Sequence, residues 1–180
     1  MFVKVCGITT FEQIDWAVEL GYSAIGVIFH PKSKRYVGYE KGVRLAEYAK
    51  GKISTVCVGI DFDEVKDVID KFDYVQLYNY EKHDNLIYAT TKEPENQIFQ
   101  YLIYDKSMGK GMFEEDYPKW ICKYKDKLII SGGLTAENVN KVLKKINPAG
   151  VDVSSGVEES YGVKSFDKMK SFIEKVKNHF

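Results

Sequence analysis

The sequence predicts an α/β fold, a (β/α)₈ barrel in a single domain over residues 1–180, and three observations lead to that prediction. Short apolar runs rich in β-branched residues alternate with polar segments of helical periodicity, the pattern of βαβ units and a parallel sheet. Eight such runs favour a closed barrel over an open doubly wound sheet. No proline-rich linker or charge block divides the 180 residues, a length that suits one domain with one core.

The first half of the chain supplies four strands and three helices. Apolar runs of strand length predict strands at Phe2–Cys6, Ala24–Phe29, Thr55–Ile60 and Tyr74–Leu77. Apolar residues at helical spacing lie between a start at Thr9 and Glu12 and a stop at Gly21, which predicts a capped helix over Thr10–Leu20. The same spacing predicts helices over Glu40–Ala49 and Asp63–Lys71.

The second half supplies the other four strands and closes with two helices. The strands are predicted at Leu86–Ala89, Tyr101–Tyr104, Leu128–Ser131 and Gly150–Val153. The apolar spacing predicts helices over Thr135–Ile146, which begins with a capping residue, and over Phe166–Val176.

The middle of the chain is short for a barrel of this kind. The segment Asn79–Asn85 is too short and polar for a full fourth helix, and Pro94–Phe99 has room for one or two helical turns. We therefore expect the helix after strand four to be absent or vestigial and the fifth helix to be shortened. A partner subunit, or packed tyrosines at 78, 80 and 88, would then cover the outer face of strands four and five.

Composition and charge exclude several classes of protein. Basic and acidic residues number 26 each, so no net charge favours nucleic acid or an anionic membrane. Apolar runs are far shorter than the roughly 18 residues of a membrane span, and the opening MFVKVCGITT does not resemble a secretory signal. Cys6, Cys57 and Cys122 lie far apart, as expected of reduced thiols. We therefore expect a cytoplasmic protein without a metal, a nucleic-acid partner or a membrane partner.

Candidate site residues are sought at the C-terminal ends of the strands, where barrels of this kind carry their active sites. The glycine pair after strand seven and the Ser-Ser-Gly run after strand eight are ordinary turns when each is considered alone. Together they offer backbone N–H groups at the two strand ends where such barrels commonly bind phosphate. The predicted phosphate-binding residues are Gly132, Gly133, Ser154, Ser155 and Gly156.

Three further positions carry reactive or charged groups. Cys6 ends the first strand and is expected to point into the barrel mouth, although an isolated cysteine is more often a core residue. Cys57 and Cys122 are interpreted as structural. Asp105 ends the apolar sixth strand and is either a structural acceptor or an acid/base group. Arg35, considered alone, is a solvated loop charge.

The motifs gain specificity when they are taken together. They are VKVCGIT at 3–9, AIGVIFHPKSKRYV at 24–37, YVQL at 74–77, LIYD at 102–105, LIISGGLTAENV at 128–139 and GVDVSSGVEESYGVK at 150–164. With these motifs, from the first strand to the last, the sequence resembles the phosphoribosylanthranilate isomerase family of tryptophan biosynthesis. The resemblance implies a cofactor-free and metal-free Amadori rearrangement of the substrate phosphoribosylanthranilate to a 1-deoxyribulose product.

The resemblance also implies roles for individual residues. The family's catalytic cysteine and aspartate fall on Cys6 and Asp105, and its substrate-binding arginine falls on Arg35. Gln76 and Asp152 are assigned to substrate binding as well. An acid at Asp105 would protonate the furanose oxygen, and a thiolate at Cys6 would remove the proton at C2′ of the iminium ion. Arg35 would either favour that thiolate or hold the anthranilate carboxylate.

Two departures from the family and three alternatives accompany the resemblance. Tyr78-Asn79 stands where the family usually has His-Gly, and the loop over residues 106–111, a candidate lid, is shorter than the family's. An indole-glycerol-phosphate synthase is expected to carry a lysine and glutamates at its strand ends, and a histidine-pathway isomerase an aspartate after strand one, where this chain has Cys6. An inactive barrel serving as an assembly module is disfavoured by the retained catalytic residues. The sequence leaves monomer and homodimer open.

Overall fold

The computed structural model describes residues 1–105 and 116–179 and shows a closed barrel of parallel strands in the order β1 to β8. The strands are β1 (Phe2–Cys6), β2 (Ala24–Ile28), β3 (Ser54–Gly59), β4 (Tyr74–Leu77), β5 (Leu86–Thr90), β6 (Tyr101–Asp105), β7 (Leu128–Ser131) and β8 (Gly150–Val153). Each strand pairs with the next, and β8 returns to β1 with Val5 opposite Val153. The predicted fold class is therefore confirmed, and each predicted strand boundary lies within a residue of the observed one.

Side chains alternate between the inside and the outside of the barrel because successive residues of a strand face opposite ways. At the N-terminal end of the barrel, the rings of Phe2, Tyr74 and Tyr101 pack together with centroids 5.0–6.3 Å apart. On β1, Val3 and Val5 belong to the core under the outer elements. The residues that alternate with them, Phe2, Lys4 and Cys6, therefore face the interior of the barrel. Cys6 is the last residue of β1 and lies at the C-terminal mouth.

Within the described residues, four α-helices pack outside the strands: α1 (Phe11–Leu20), α2 (Tyr39–Ala49), α3 (Val139–Ile146) and α4 (Phe166–Lys177). The side chain of Thr10 caps α1 by accepting the backbone N–H of Gln13, and Gly21 ends the helix with φ 78°. The cap therefore lies one residue beyond the predicted Thr9 and Glu12. No helix in the described parts of the chain combines the length and apolar character that crossing a bilayer requires.

Two predicted helices differ from the structure. The helix expected over Asp63–Lys71 is replaced by two 3₁₀ turns, which cover Phe62–Glu64 and Ile69–Lys71. Val65 and Val68 are nevertheless buried, because a spacing of three residues suits a 3₁₀ turn as well as an α-helix. The helix predicted from Thr135 begins at Val139.

The connections on either side of β5 contain no helix within the described residues 78–85 and 91–100. This agrees with an absent fourth helix, whereas the short helix expected within Pro94–Phe99 is wrong. An aromatic cluster covers this part of the barrel, with neighbouring ring centroids 5.4–6.2 Å apart. Its members are Tyr80, Tyr88, Phe99, Tyr104, Tyr117, Trp120 and Tyr124, of which Trp120 and Tyr124 belong to a 3₁₀ segment, Lys119–Lys127. Tyr78, expected among these tyrosines, lines the barrel mouth instead.

A small hairpin follows β8 and was not predicted. A 3₁₀ turn at Ser155–Val157 leads into β9 (Glu158–Ser160), which pairs with β10 (Val163–Lys164). The hairpin lies beside the C-terminal mouth of the barrel, where the tip residue Tyr161 joins the lining of the central cavity.

Candidate active site

A cavity of about 380 Å³ opens at the C-terminal end of the barrel. Nine of the predicted site residues line it: Cys6, Arg35, Gln76, Asp105, Gly132, Gly133, Asp152, Ser154 and Ser155. Gly156 does not line it, because Gly156 packs against the backbone of Leu134 so closely that a Cβ would overlap the Leu134 carbonyl oxygen. The candidate lid over residues 106–111 lies outside the described residues. The cavity has the size and the mixed lining of a small-molecule site.

The order of the strands determines how the candidate groups are arranged around this mouth. Strands β6, β7, β8 and β1 are consecutive neighbours. The glycine pair and the serine pair at the ends of β7 and β8 therefore lie between Asp105 on β6 and Cys6 on β1. A ligand phosphate held by these loops would have a carboxyl on one side and a thiol on the other.

A buried ion pair lies next to the thiol and joins Asp152, a predicted site residue, to Lys4, which was not predicted from the sequence. Lys4 Nζ donates to Asp152 Oδ1 at 2.9 Å, and Ser131 Oγ donates to the other carboxylate oxygen at 3.0 Å. Gly26 makes room for this arrangement, since a Cβ there would lie 2.8 Å from the Cys6 sulfur and 3.1 Å from Lys4 Cε. A sequence signal was present, because a lysine two residues before Cys6 in an apolar strand must share its interior face.

Burial and charge compete at the thiol. Burial raises the pKa of Cys6 above its ordinary 9.0 and Asp152 adds to this, while Lys4 and Lys164 act in the opposite direction without reversing it. Burial disfavours the charge on Lys4, but the neighbouring Asp152 and Cys6 raise the pKa of Lys4 overall, so its ammonium group stays charged. At neutral pH the thiol is therefore mainly protonated, and a ligand that brings positive charge would favour its ionisation.

Arg35 reaches the cavity with its guanidinium held by a carboxylate of the β9–β10 hairpin. Its Nε and Nη2 donate to the two oxygens of Glu158 at 2.8 and 2.7 Å, the bidentate geometry that orients an arginine firmly. Lys164 donates to the same carboxylate at 2.8 Å and to the carbonyl oxygens of Cys6 and Ser154 at 2.6 and 3.1 Å. These contacts tie the ends of β1 and β8 to the hairpin. Neither Glu158 nor Lys164 was predicted, since the contacts that bring them to the mouth, with Arg35 and with the carbonyl of Cys6, span 123 and 158 positions.

The far side of the mouth presents a carboxyl, a phenol and an amide. Asp105 is buried and accepts a hydrogen bond from the Tyr78 hydroxyl at 2.9 Å. Burial and the neighbouring Asp105 raise the pKa of Tyr78 well above 10.0, so the phenol keeps its proton. Gln76 is buried two residues earlier, and its Oε1 has no hydrogen-bond partner among the described residues. A buried amide oxygen without a partner is costly, so this atom is suited to accept from a ligand.

The wall opposite the two loops is largely apolar. Ile28, Val58 and Ile60 line it from the ends of β2 and β3. His30 lines the cavity on the same side and is paired with Glu64, with 2.7 Å between Nδ1 and Oε1. Such a wall suits a flat apolar ring.

Fold and site together define a (β/α)₈-barrel enzyme whose small-molecule cavity is lined by both a carboxyl and a thiol. The model of the N-(5′-phosphoribosyl)anthranilate (PRA) isomerase family matches residues 3–118 and 91–175. The chain therefore belongs to this family and is an isomerase.

Individual relatives cover the chain almost completely. An N-(5′-phosphoribosyl)anthranilate isomerase of Sulfurihydrogenibium sp. (strain YO3AOP1) is 34% identical in an alignment 206 positions long, gaps included, that covers 99% of this chain and 100% of the relative. The solved phosphoribosyl anthranilate isomerase of Thermus thermophilus superposes with a TM-score of 0.81 at 28% identity over 99% of both chains. Another solved isomerase, in complex with reduced 1-(o-carboxyphenylamino)-1-deoxyribulose 5-phosphate, has a TM-score of 0.79 at 29% identity over 99% of both chains. The family resemblance expected from the motifs is thus confirmed.

Proposed function

We propose that this chain converts N-(5′-phosphoribosyl)anthranilate to 1-(2-carboxyphenylamino)-1-deoxyribulose 5-phosphate in tryptophan biosynthesis, with Asp105 as general acid and Cys6 as general base. The observation that carries the proposal is the position of these two residues in one cavity, on either side of the loops after β7 and β8. A similar isomerase has been solved with a reduced form of this product, which supports the same ligand class here.

The phosphate of the substrate would be bound by the loops after β7 and β8. Gly132 and Gly133 have φ of 98° and 64°, a conformation that glycine adopts without strain and that brings the backbone close to a ligand. Ser154 and Ser155 complete the loop pair in the cavity lining. Gly156 serves this site by letting the two loops pack together, since it lies against Leu134 behind the lining.

Asp105 would start the reaction by transferring its proton to the furanose ring oxygen. The bond between that oxygen and C1′ breaks, and the lone pair of the anthranilate nitrogen forms the C1′=N⁺ iminium ion. A general acid within hydrogen-bond reach of a leaving oxygen is the requirement for this step. The β6 strand end fixes the backbone position of Asp105, because Asp105 is the last residue of the strand and pairs with Ser131 of β7.

Cys6 would then remove the proton at C2′ from the other side of the sugar. The electron pair of the C2′–H bond forms the C1′=C2′ bond and neutralises the iminium nitrogen. The resulting enolamine tautomerises to the ketone as the 2′-hydroxyl loses its proton and C1′ gains one. The iminium charge offsets the burial that keeps the free thiol protonated. Lys4 beside the thiol stabilises the thiolate, and Asp152 acts on the substrate indirectly by holding Lys4.

The anthranilate end would lie against the apolar wall of β2 and β3. Arg35 is oriented by Glu158 at the rim, where its remaining positive surface favours the anthranilate carboxylate over a neutral ring. The unpartnered Oε1 of Gln76 would accept a hydrogen bond from a substrate hydroxyl or N–H group.

Turnover of freshly prepared phosphoribosylanthranilate, followed as loss of its fluorescence, tests the proposal, together with rescue of a tryptophan auxotroph that lacks this step. Cys6→Ser and Asp105→Asn are each expected to lower kcat by about 10²- to 10⁴-fold with little change in KM. Cys122→Ser, at an exposed cysteine, is the matched control and should turn over like the wild type. Near wild-type turnover of either site variant would contradict that residue's role. A wild-type chain that binds a phosphate ligand but does not turn over phosphoribosylanthranilate would indicate a binding module instead.

A further inference from the structure

We propose that Tyr78 is a positioning residue for the general acid, whose hydroxyl orients the Asp105 carboxyl and stabilises the carboxylate that remains after proton transfer. The inference rests on the proposed function, since it assigns Tyr78 a role only through Asp105. The observation behind it is the hydrogen bond from the Tyr78 hydroxyl to Asp105 Oδ2, at 2.9 Å.

The local structure holds the phenol in place from both ends. Tyr78 directly follows β4 and packs against the cluster inside the barrel, which includes Ile87, Ala89 and Ile103. Its hydroxyl spans the gap to the end of β6, where Asp105 is itself buried. A tyrosine that is packed along its ring has little rotational freedom to lose, so it can fix the rotation of a carboxyl with small entropic cost.

The chemistry of proton transfer makes this contact stronger as the reaction proceeds. Asp105 gives its proton to the furanose oxygen and gains a negative charge, while the Tyr78 proton stays on the phenol. A hydrogen bond to an ionised acceptor is shorter and stronger than one to a neutral acceptor. The phenol therefore stabilises the developing carboxylate, which is itself buried. Burial and Asp105 raise the pKa of Tyr78 well above 10.0, so the group remains a donor throughout the working pH range.

The phenol also lies within electrostatic range of the other half of the site. Cys6 and Asp152 both contribute to the raised pKa of Tyr78, after burial and Asp105. A negative charge on the thiol during C2′ deprotonation would keep the phenol protonated. Tyr78 thus stays a hydrogen-bond donor to Asp105 in both steps of the reaction.

A double-mutant cycle on the full chain tests the inference. Tyr78→Phe should lower kcat about ten- to a hundred-fold with little change in KM, because the ring remains and the orientation of the acid is lost. In an Asp105→Asn background the same Tyr78→Phe change should have almost no further effect, since the two residues act as one unit. Tyr74→Phe removes a hydroxyl from the same strand at the opposite end of the barrel and should leave kcat unchanged.

A spectroscopic measurement checks the contact independently of turnover. In protein labelled with ¹³Cζ-tyrosine, the Tyr78 resonance is identified by its loss in Tyr78→Phe. It should shift in Asp105→Asn and stay in place in Tyr74→Phe. Three results would each overturn the inference. They are an unchanged kcat in Tyr78→Phe, an equal loss of kcat on Tyr78→Phe in the wild-type and Asp105→Asn backgrounds, and a Tyr78 resonance at the same chemical shift in Asp105→Asn and in the wild type. Wild-type turnover of Asp105→Asn would instead remove the proposed acid, and with it the role of Tyr78.

Discussion

The side of the barrel formed by β7, β8 and β1 and the side formed by β4 to β6 are stabilised in different ways. On the first side, buried charges dominate: Lys4 pairs with Asp152, and Glu158 receives both Arg35 and Lys164. On the second side, turns replace helices around β5 and the aromatic cluster covers the strands. The side formed by β7, β8 and β1 thus anchors most of the catalytic mouth. The side formed by β4 to β6 contributes Asp105 and its partner Tyr78.

The difference shows which parts of a barrel can be shortened. A buried charge that loses its partner costs about 3–5 kcal/mol, so every element that places such a partner must remain. Burial of apolar surface has no directional requirement. Aromatic rings on short turns can therefore cover the outer face of the strands as a helix does elsewhere in the barrel. We therefore expect substitutions on the first side to affect turnover, and substitutions in the aromatic cluster to affect stability alone.

The largest effect on turnover, after loss of the acid or base itself, is expected from Lys4→Met. Loss of a nearby cation would raise the pKa of Cys6 further and so lower the thiolate fraction, by about tenfold or more. The reactive form keeps one proton on the carboxyl and none on the thiol, so kcat/KM should fall by a similar factor. The unpaired charge of Asp152 should also lower the free energy of unfolding by about 3–5 kcal/mol.

The pH profile of kcat/KM checks the electrostatic reason for that loss. The reactive form shares one proton between the carboxyl and the thiol and disappears as the pH rises through the thiol pKa, so the alkaline limb of the wild type should lie above pH 9.0. In Lys4→Met this limb should move to higher pH. Lys66→Met, which removes an exposed lysine from a surface ion pair, is the control. An alkaline limb at the same pH in Lys4→Met and in the wild type would show that Lys4 does not lower the pKa of the Cys6 thiol.

A smaller loss is expected from Gly26→Ala. The added Cβ would lie 2.8 Å from the Cys6 sulfur, so the thiol must shift, and a displacement of this kind lowers kcat by about ten- to a hundred-fold. Val27→Ala alters the next residue of β2, which packs in the outer core, and should reduce stability without lowering kcat. Equal kinetics of the two variants would show that the position of the sulfur is not critical.

The smallest effect on turnover is expected from Phe99→Ala in the aromatic cluster. Removing this buried ring should lower the free energy of unfolding by about 3–5 kcal/mol, measured by denaturant titration. Well below the unfolding transition, kcat should stay within about twofold of the wild type, because additivity holds for sites without shared partners. A drop in kcat comparable to that of Gly26→Ala would show that the shortened side controls the chemistry.

The strands and most helices follow from local patterns, and so does the placement of Cys6 and Asp105 at strand ends. An apolar run of strand length is recognised from neighbouring residues alone, which explains why the strand boundaries agree with the structure. The 3₁₀ turns at Phe62–Glu64 and Ile69–Lys71 could not be distinguished from a helix, because both bury residues three apart.

The supporting charges depend on contacts between distant parts of the chain. Glu158 meets Arg35 across 123 positions, and no local pattern contains that information. Tyr78 was assigned to the outer face because tyrosines cluster near it in sequence, whereas strict alternation from Gln76 would have placed it inside. The same alternation would have identified Lys4 beside Cys6.

A crystal structure of this chain with reduced 1-(o-carboxyphenylamino)-1-deoxyribulose 5-phosphate tests whether Asp105 and Cys6 act on opposite sides of the sugar. The phosphate should lie on the loops after β7 and β8, the Cys6 sulfur about 3–3.5 Å from C2′, and an Asp105 oxygen within about 3 Å of the former ring oxygen. A phosphate bound elsewhere, or a sugar with Cys6 and Asp105 on the same side, would contradict this arrangement.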